Sequence, residues 1–251
     1  MMTYRKGRYE ISLRAGSDDI AEAQRLRGLC FLGRRRCAMP GDRRDADEHD
    51  AACTHVLIRD SASGGLVACF RMLTLPGGTA IEESYSARHY DLAGLRAYPG
   101  RMAEIGRFCI HPEWSDPDIL RLAWGALARQ VDAQGIAMLF GCTSFAGTDA
   151  RGYEDAFAML GERHLAPRCW LPRVKAPQVF PFARILRRRR PDPRRALAAM
   201  PPLLRSYLAM GGWVSDHAVV DRQLETLHVF TGLEIAAIPP QRARLLRAAG
   251  A

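Results

Sequence analysis

From Met102 to Ile110 the chain reads Met-Ala-Glu-Ile-Gly-Arg-Phe-Cys-Ile, an apolar, strand-like segment that carries an acid and a base three residues apart. Charges inside such a strand are costly unless they are paired or put to use. Residues i and i+3 of a regular strand face opposite ways, so Glu104 and Arg107 make no simple intrastrand pair unless a bulge intervenes. Upstream lie an acidic cluster, Asp45-x-Asp47-x-x-Asp50, and an arginine, Arg71, inside a second apolar run, Cys69 to Leu73. Together these predict a buried polar site that handles an amine and an acyl group.

The pattern around that strand is mixed α/β. Residues 8–14 alternate as a strand. Ser17 is placed to cap a helix whose early turns carry Asp18 and Asp19, with Ile20, Ala23, Leu26, Leu29 and Cys30 as its apolar stripe. A polar segment runs from Arg34 to Asp50. His55–Arg59 and Leu66–Leu75 read as a hairpin across Ser61–Gly65, residues 84–97 as a helix, and Arg101–Ile110 as the fourth strand. Asp116-Pro117-Asp118 starts a helix that runs to Gln134, with Pro117 at its first position. Ile136–Phe145 is a buried strand, followed by a helix near Tyr153–Leu160 and a short strand near Arg168–Leu171. Beyond Pro172 prolines recur and Arg187–Arg190 forms a basic run. Pro201–Met210 reads as a short helix, Thr226–Ile235 as the last strand, and the residues after Pro239 as a basic helical tail. The expected plan is a single domain over 1–251, with a core at 8–172 and a C-terminal extension at 173–251 whose last strand joins the first sheet.

At 251 residues, 48% of them hydrophobic, the chain can bury a sizeable core. Its net charge of +9 calls for an anionic partner: nucleic acid, an anionic membrane face or an acidic carrier protein. Only 8% of residues are aromatic and none interleave with basic residues, so base stacking finds no support and no nucleic acid is expected. Seven scattered cysteines without a CxxC pair read as small hydrophobes in a reducing cytosol, and no metal site is expected. No apolar run approaches the roughly 20 residues that span a bilayer.

The order of elements is that of the Gcn5-related N-acyltransferase fold, a mixed central sheet flanked by helices. Arg27-x-x-x-Phe31, Asp45-x-Asp47-x-x-Asp50, Phe70-Arg71-Met72-Leu73 and Glu104-x-x-Arg107-Phe108 resemble the signature of acyl-homoserine lactone synthases. The block from Pro201 to Asp221 resembles instead the tail of the L-ornithine Nα-acyltransferases, the lyso-ornithine lipid synthases; Gly141–Phe145 and Arg107–Pro112 also fit that branch. The usual tryptophan of the lactone synthases after Phe31 is absent, which favours the lipid branch. The likeness spans residues 8–236. It implies an acyltransferase that moves a 3-hydroxyacyl chain to the α-amino group of L-ornithine. The donor it implies is 4'-phosphopantetheine on acyl carrier protein, with no cofactor held by the enzyme itself. One departure bears on the donor. Acetyltransferases of this fold cradle the coenzyme A pyrophosphate in a glycine-rich loop, whereas here the strand-to-helix junction reads Pro112-Glu-Trp-Ser-Asp-Pro117. A tethered phosphopantetheine has no pyrophosphate, and an acidic carrier suits a basic surface.

Aminolysis of a thioester needs a neutral amine, and ornithine arrives with both amines mostly protonated. Glu104 is the candidate base, directly or through water. By resemblance to the fold, backbone N–H groups of Phe108 or Cys109 polarise the thioester carbonyl. Asp45, Asp47 and Asp50 are candidates to hold the amino-acid substrate, against the plainer reading of a solvated loop. Arg71 would orient a carboxylate or anchor the acidic loop, and Arg107 would order that loop or a neighbouring helix. Arg27 and Phe31, one helical turn apart, read equally well as an exposed arginine beside a core phenylalanine. Ser144 is a candidate for the pantetheine amide, and Asp216, His217 and Asp221 for the amino-acid pocket, against loop capping. Cys142 has no base beside it in sequence, so direct transfer is expected. The Arg187–Arg190 run, flanked by Phe180, Phe182, Ile185 and Leu186, suits an anionic membrane surface, which gives a cytoplasmic enzyme peripheral on the inner membrane. The alternatives are an enzyme with glutamine or glycine as acceptor, a lactone synthase, and a basic protein without catalysis.

Overall fold

The computed structural model describes residues 2–14, 16–32 and 44–250. In chain order its elements are β1 (Met2–Lys6), β2 (Tyr9–Arg14), α1 (Ser17–Arg27), β3 (Thr54–Asp60), β4 (Leu66–Leu75), β5 (Tyr90–Asp91), β6 (Arg101–Ile110) and α2 (Pro117–Gln134). There follow β7 (Ile136–Ala146), α3 (Glu154–Arg163), β8 (Arg173–Val174), β9 (Val179–Phe180), α4 (Phe182–Ile185), α5 (Pro193–Ala199) and α6 (Pro202–Ala209). Last come β10 (Trp213–Val214), β11 (Ala218–Asp221), β12 (Thr226–Glu234) and α7 (Pro240–Gly250). The chain forms two compact units, and β6 gives residues 105–110 to the first and 101–104 to the second.

The first unit takes the chain up to Thr74, Ile105–Gly135 and the stretch from Ala243. Strands β1 to β4 form an antiparallel meander, with β6 next to β4. Helix α1 starts after Gly16, which offers no side-chain cap; Ser17 is already helical, so the expected serine cap is absent. The helix buries Ala23, Leu26 and Arg27, while Leu29 is exposed. Ala23, Leu26 and Cys30 pack into the core as the stripe predicts, whereas Leu29 falls in the π-helical turn Gly28–Leu32 that follows α1. Asp116 caps α2 by accepting from Asp118 N, Pro117 opens it, and Gly135 ends it in the left-handed conformation (φ 62°). Helix α7 lies so close to α2 that a Cβ on Gly125 would come within 2.6 Å of the Ala249 carbonyl carbon.

The second unit takes Leu75–Glu104 and Ile136–Arg242. Here β6 runs parallel to β7, β12 pairs antiparallel with β7, and β10 and β11 pair with β12. The last long strand therefore joins the sheet beside β7. Phe145, Leu227 and Val229 face a core with Phe157, Phe182 and Leu204 from α3, α4 and α6. The opposite face carries Cys142, Ser144, His228 and Phe230, because Cys142 pairs with Phe230 and Ser144 with His228.

Two expectations fail in this unit. Residues 84–97 are not a helix but short 3-10 turns at Ser86–Arg88 and Ala93–Ala97 around β5. The backbone N–H groups of Tyr85 and Ser86, which a helix would direct along its axis, go to the Glu104 carboxylate instead. Arg168–Leu171 is not a strand; the strand falls at Arg173–Val174, paired with β5.

Candidate active site

Glu104 lies on β6 in the second unit, 5% exposed. Its Oε2 accepts from Tyr85 N at 2.8 Å, and its Oε1 accepts from Ser86 N at 2.7 Å and Ser86 Oγ at 2.5 Å. Ser84 Oγ steadies the same turn by donating to Ile81 O and accepting from Ala87 N. The Ser86 hydroxyl also lies 3.5 Å from Cys142 Sγ on β7. A buried acid is thereby fixed by three donors to one rotamer, which is what a proton acceptor needs in order to act on a reacting atom.

An aromatic and imidazole group continues this face. The Tyr90 ring packs against His217 at 5.2 Å, His228 at 5.6 Å and Phe230 at 5.7 Å. Its hydroxyl donates to His228 O at 2.7 Å, and burial, with Cys142 nearby, pushes the phenol well above its ordinary range. His217 is 1% exposed; its Nδ1 is 2.6 Å from Asp216 Oδ1, and its Nε2 has no protein partner among the described residues. A buried ring nitrogen without a partner costs free energy unless a ligand or water meets it. Ser144 is exposed on β7 opposite His228.

The first unit holds a different constellation. Arg27, 1% exposed, donates to both carboxylate oxygens of Asp50, at 2.8 and 2.7 Å, and pairs with Asp45 Oδ2 at 3.1 Å. Arg71 Nη1 donates to Asp47 Oδ1 at 2.5 Å and Asp50 Oδ1 at 2.7 Å, and its Nη2 donates to Asp47 Oδ2 at 2.8 Å. Arg107 bridges Asp45 Oδ2 at 2.8 Å and Asp47 Oδ2 at 3.1 Å. Three guanidiniums meet three carboxylates, and Gln24 and the Asp47 amide fill the remaining positions on Asp50. Burial by itself would raise the Asp50 carboxyl; the bonds from Arg27 and Gln24 outweigh it and hold the group well below the usual range. Burial acts the same way on Asp47, where Arg71 prevails. All three aspartates are thus paired with arginines, and these pairs fix the loop. Arg107 does order the acidic loop, as its sequence context implied.

Arg107 reaches this cluster from the left-handed region (φ 53°), which bulky residues rarely enter. This irregularity in β6 serves the contacts of Arg107 with Asp45 and Asp47, while Glu104 is held by Tyr85 and Ser86. Beyond it, Phe108 stacks on Phe70 at 5.7 Å, and the Cys109 thiol sits 3.6 Å from Cys69 Sγ. Hydrogen bonding with Cys30 and Cys69, then burial, pushes that thiol up. Asp221 Oδ1 accepts from Leu224 N at 2.9 Å and caps the β11–β12 turn, the plainer of its two expected roles. Asp216 is the partner of His217. Sequence patterns missed Ser86, Tyr85 and Tyr90, because their segment has helical spacing, and left Arg27 undecided.

At the start of α2, Asp116 accepts from its own helix at Asp118 N (2.8 Å) and from Tyr9 Oη (2.6 Å). Burial and this bond raise the Tyr9 phenol to about 12. Arg8 lies over the Trp114 ring at 5.0 Å. A carboxylate thus caps the N-terminus of α2.

Residues 26–125 match the acetyltransferase (GNAT) domain, and together with its relatives this makes the chain an acyltransferase. The chain is 34% identical over 239 residues to an L-ornithine N(alpha)-acyltransferase of Rhodobacter capsulatus, covering 92% of this chain and 91% of that one. It is 31% identical over 246 residues to the enzyme of that name from Agrobacterium fabrum, covering 93% and 83%. It belongs to the L-ornithine N(alpha)-acyltransferase family. Among solved structures, the coenzyme A-dependent acyl-homoserine lactone synthase BjaI aligns over 92% of this chain and 82% of its own, at 16% identity and a TM-score of 0.49. Among the described residues no helix is long and apolar enough to cross a membrane.

Proposed function

We propose that this acyltransferase moves a 3-hydroxyacyl chain from the phosphopantetheine of acyl carrier protein to the α-amino group of L-ornithine, giving lyso-ornithine lipid. The observation that carries the reading is the Glu104 carboxylate, buried and fixed by Tyr85 and Ser86. In that reading Glu104 takes a proton from the α-ammonium, and the neutral nitrogen attacks the thioester carbon. A C–N bond forms and the C–S bond breaks. The sulfur leaves with the electron pair and takes up the second proton, which the attacking nitrogen releases as the amide forms; a thiol of pKa near 8.5 needs little acid assistance. Phe108 or Cys109 N–H would donate to the tetrahedral oxygen. His217 Nε2, backed by Asp216, would accept a hydrogen bond from the second ammonium of a dibasic acceptor, and Ser144 would meet the pantetheine amide.

The relatives' shared name supports ornithine as acceptor. The capped start of α2 and the absence of a glycine-rich loop there support a carrier-tethered donor over free coenzyme A. An amphiphilic product supports a cytoplasmic enzyme working at the inner face of a membrane. The test is to incubate the purified protein with 3-hydroxyacyl carrier protein and a panel of amino acids and to seek new amides by mass spectrometry. An ornithine amide from the carrier-linked donor is expected. Glutamine or glycine amides in its place, or transfer only from acyl-coenzyme A, would overturn the acceptor or the donor respectively.

A further inference from the structure

A second site lies in the second unit, built by α3, α4 and the arginine run that follows. A cavity of about 540 Å³ is floored by Phe182 and Ala183 and walled by Leu186, Arg187, Arg188 and Arg190. The backbone here is tightly set. A Cβ on Gly161 of α3 would lie 3.3 Å from Ala183 Cα, so only a small residue lets α4 approach this closely. Arg189 is already committed: its Nη1 lies 2.9 Å from Glu154 and its Nε 3.1 Å from Asp155, which pins the run to α3. Arg187, Arg188 and Arg190 have no carboxylate partner among the described residues. The one carboxylate in the lining, Glu162, sits 3.8 Å from Arg163. The cavity is therefore strongly cationic.

Unpaired guanidiniums around a concavity have one natural ligand, an oxyanion that accepts from their forks. The rim adds a second property. Ile185, two residues before the run and next to the lining residue Leu186, is 56% exposed. An exposed aliphatic side chain among arginines is the composition that seats at a headgroup boundary, with the charges on phosphates and the hydrocarbon beneath them. A carrier-protein helix would need a broader complementary face than a pocket of this size.

We propose that the Arg187–Arg190 cavity is a phosphate site that docks the enzyme on anionic phospholipid headgroups, with Ile185 entering the interface. This goes beyond the acyl-transfer reading, and vesicle binding is read without substrate, so either can fail alone. The full chain is sedimented with vesicles of phosphatidylcholine, or of phosphatidylcholine with phosphatidylglycerol, at low and high salt. Selective, salt-sensitive binding to the anionic vesicles is expected. Each basic residue near such a surface contributes roughly fivefold, so Arg187→Ala/Arg188→Ala/Arg190→Ala should bind about a hundredfold more weakly. Ile185→Ser should weaken binding at high salt most. All four positions are exposed, so the variants should keep the wild-type melting temperature and turnover of a soluble donor. Equal binding to neutral vesicles, or a triple variant that binds like wild type, would overturn the proposal. So would a triple variant that keeps vesicle binding but loses kcat/KM for the carrier-linked donor, since the patch would then dock the carrier. Displacement from vesicles by inorganic phosphate at low millimolar concentration would mark a free-phosphate site instead.

Discussion

Ser86 donates both its backbone N–H and its hydroxyl to the same oxygen of Glu104, at 2.7 and 2.5 Å. One residue thus sets both the position and the orientation of the buried acid. Glu104→Gln keeps the shape but cannot take a proton. Turnover should fall at least about 100-fold, within the range general base catalysis supplies. Ser86→Ala removes one of three donors and should lower kcat by a smaller factor with the KM for the acyl donor unchanged. Steady-state kinetics on both variants check this, and a Glu104→Gln enzyme of normal rate would remove the acid from the mechanism.

Cys142 lies 3.5 Å from the Ser86 hydroxyl, close enough to invite an acyl-enzyme assignment. Direct transfer predicts otherwise. Cys142→Ala should keep its activity, and intact-protein mass spectrometry after brief exposure to the acyl donor should show no covalent adduct on the wild-type chain.

The arginine–aspartate cluster should be a stability determinant. Arg71→Met leaves Asp47 and Asp50 short of a buried partner and should cost about 3–5 kcal/mol in urea unfolding. A double-mutant cycle between Arg27 and Asp50 should show coupling, since the two share two hydrogen bonds.

The same cluster sets an acid limit. Asp47 and Asp50 titrate below their ordinary range in the folded protein. The unfolded chain, with carboxyl pKa near 3.9, takes up their protons first as pH falls. Their contribution is whole above that value and is lost progressively below about pH 4, toward the lower folded values. Urea midpoints of wild type and Asp50→Asn should therefore differ most near neutral pH and converge in acid. A gap that stays constant with pH would show that the charge on Asp50 contributes nothing.

His217 should govern the choice of acceptor. His217→Phe fills the space but offers no ring nitrogen to the second amine. The KM for ornithine should rise about tenfold or more, the loss of one useful hydrogen bond to a charged group, with kcat less affected. Restoration by His217→Asn of part of the preference for ornithine over glutamine would separate recognition from packing. An unchanged KM in His217→Phe would leave the buried ring a structural one.

Much of this was legible in the residues. The alternation in 8–14, the apolar hairpin strand 66–75, the Asp116-Pro117 helix start and the apolar run from Ile136 all became the elements their patterns predict. Glu104 and Arg107 stood out because charges in an apolar strand need a reason. The segment 84–97 misled because its spacing is helical, while its amides are drawn to a carboxylate about 18 residues further along. Asp221 stayed open between two roles for a simpler reason: an aspartate before a tight turn looks the same whether it caps the turn or faces a ligand.

The sequence by itself determined most of the elements, the placement of an acid in an apolar strand, and the presence of Arg71, Arg107 and three aspartates in and before the strands. Those follow from local periodicity and from the cost of burying charge. Only the tertiary structure decided which carboxylates are used up. It matched Arg27, Arg71 and Arg107 to the three aspartates and gave Glu104 to Ser86. Such pairings depend on distances between residues far apart in the chain and on one left-handed turn at Arg107, and no local pattern encodes either.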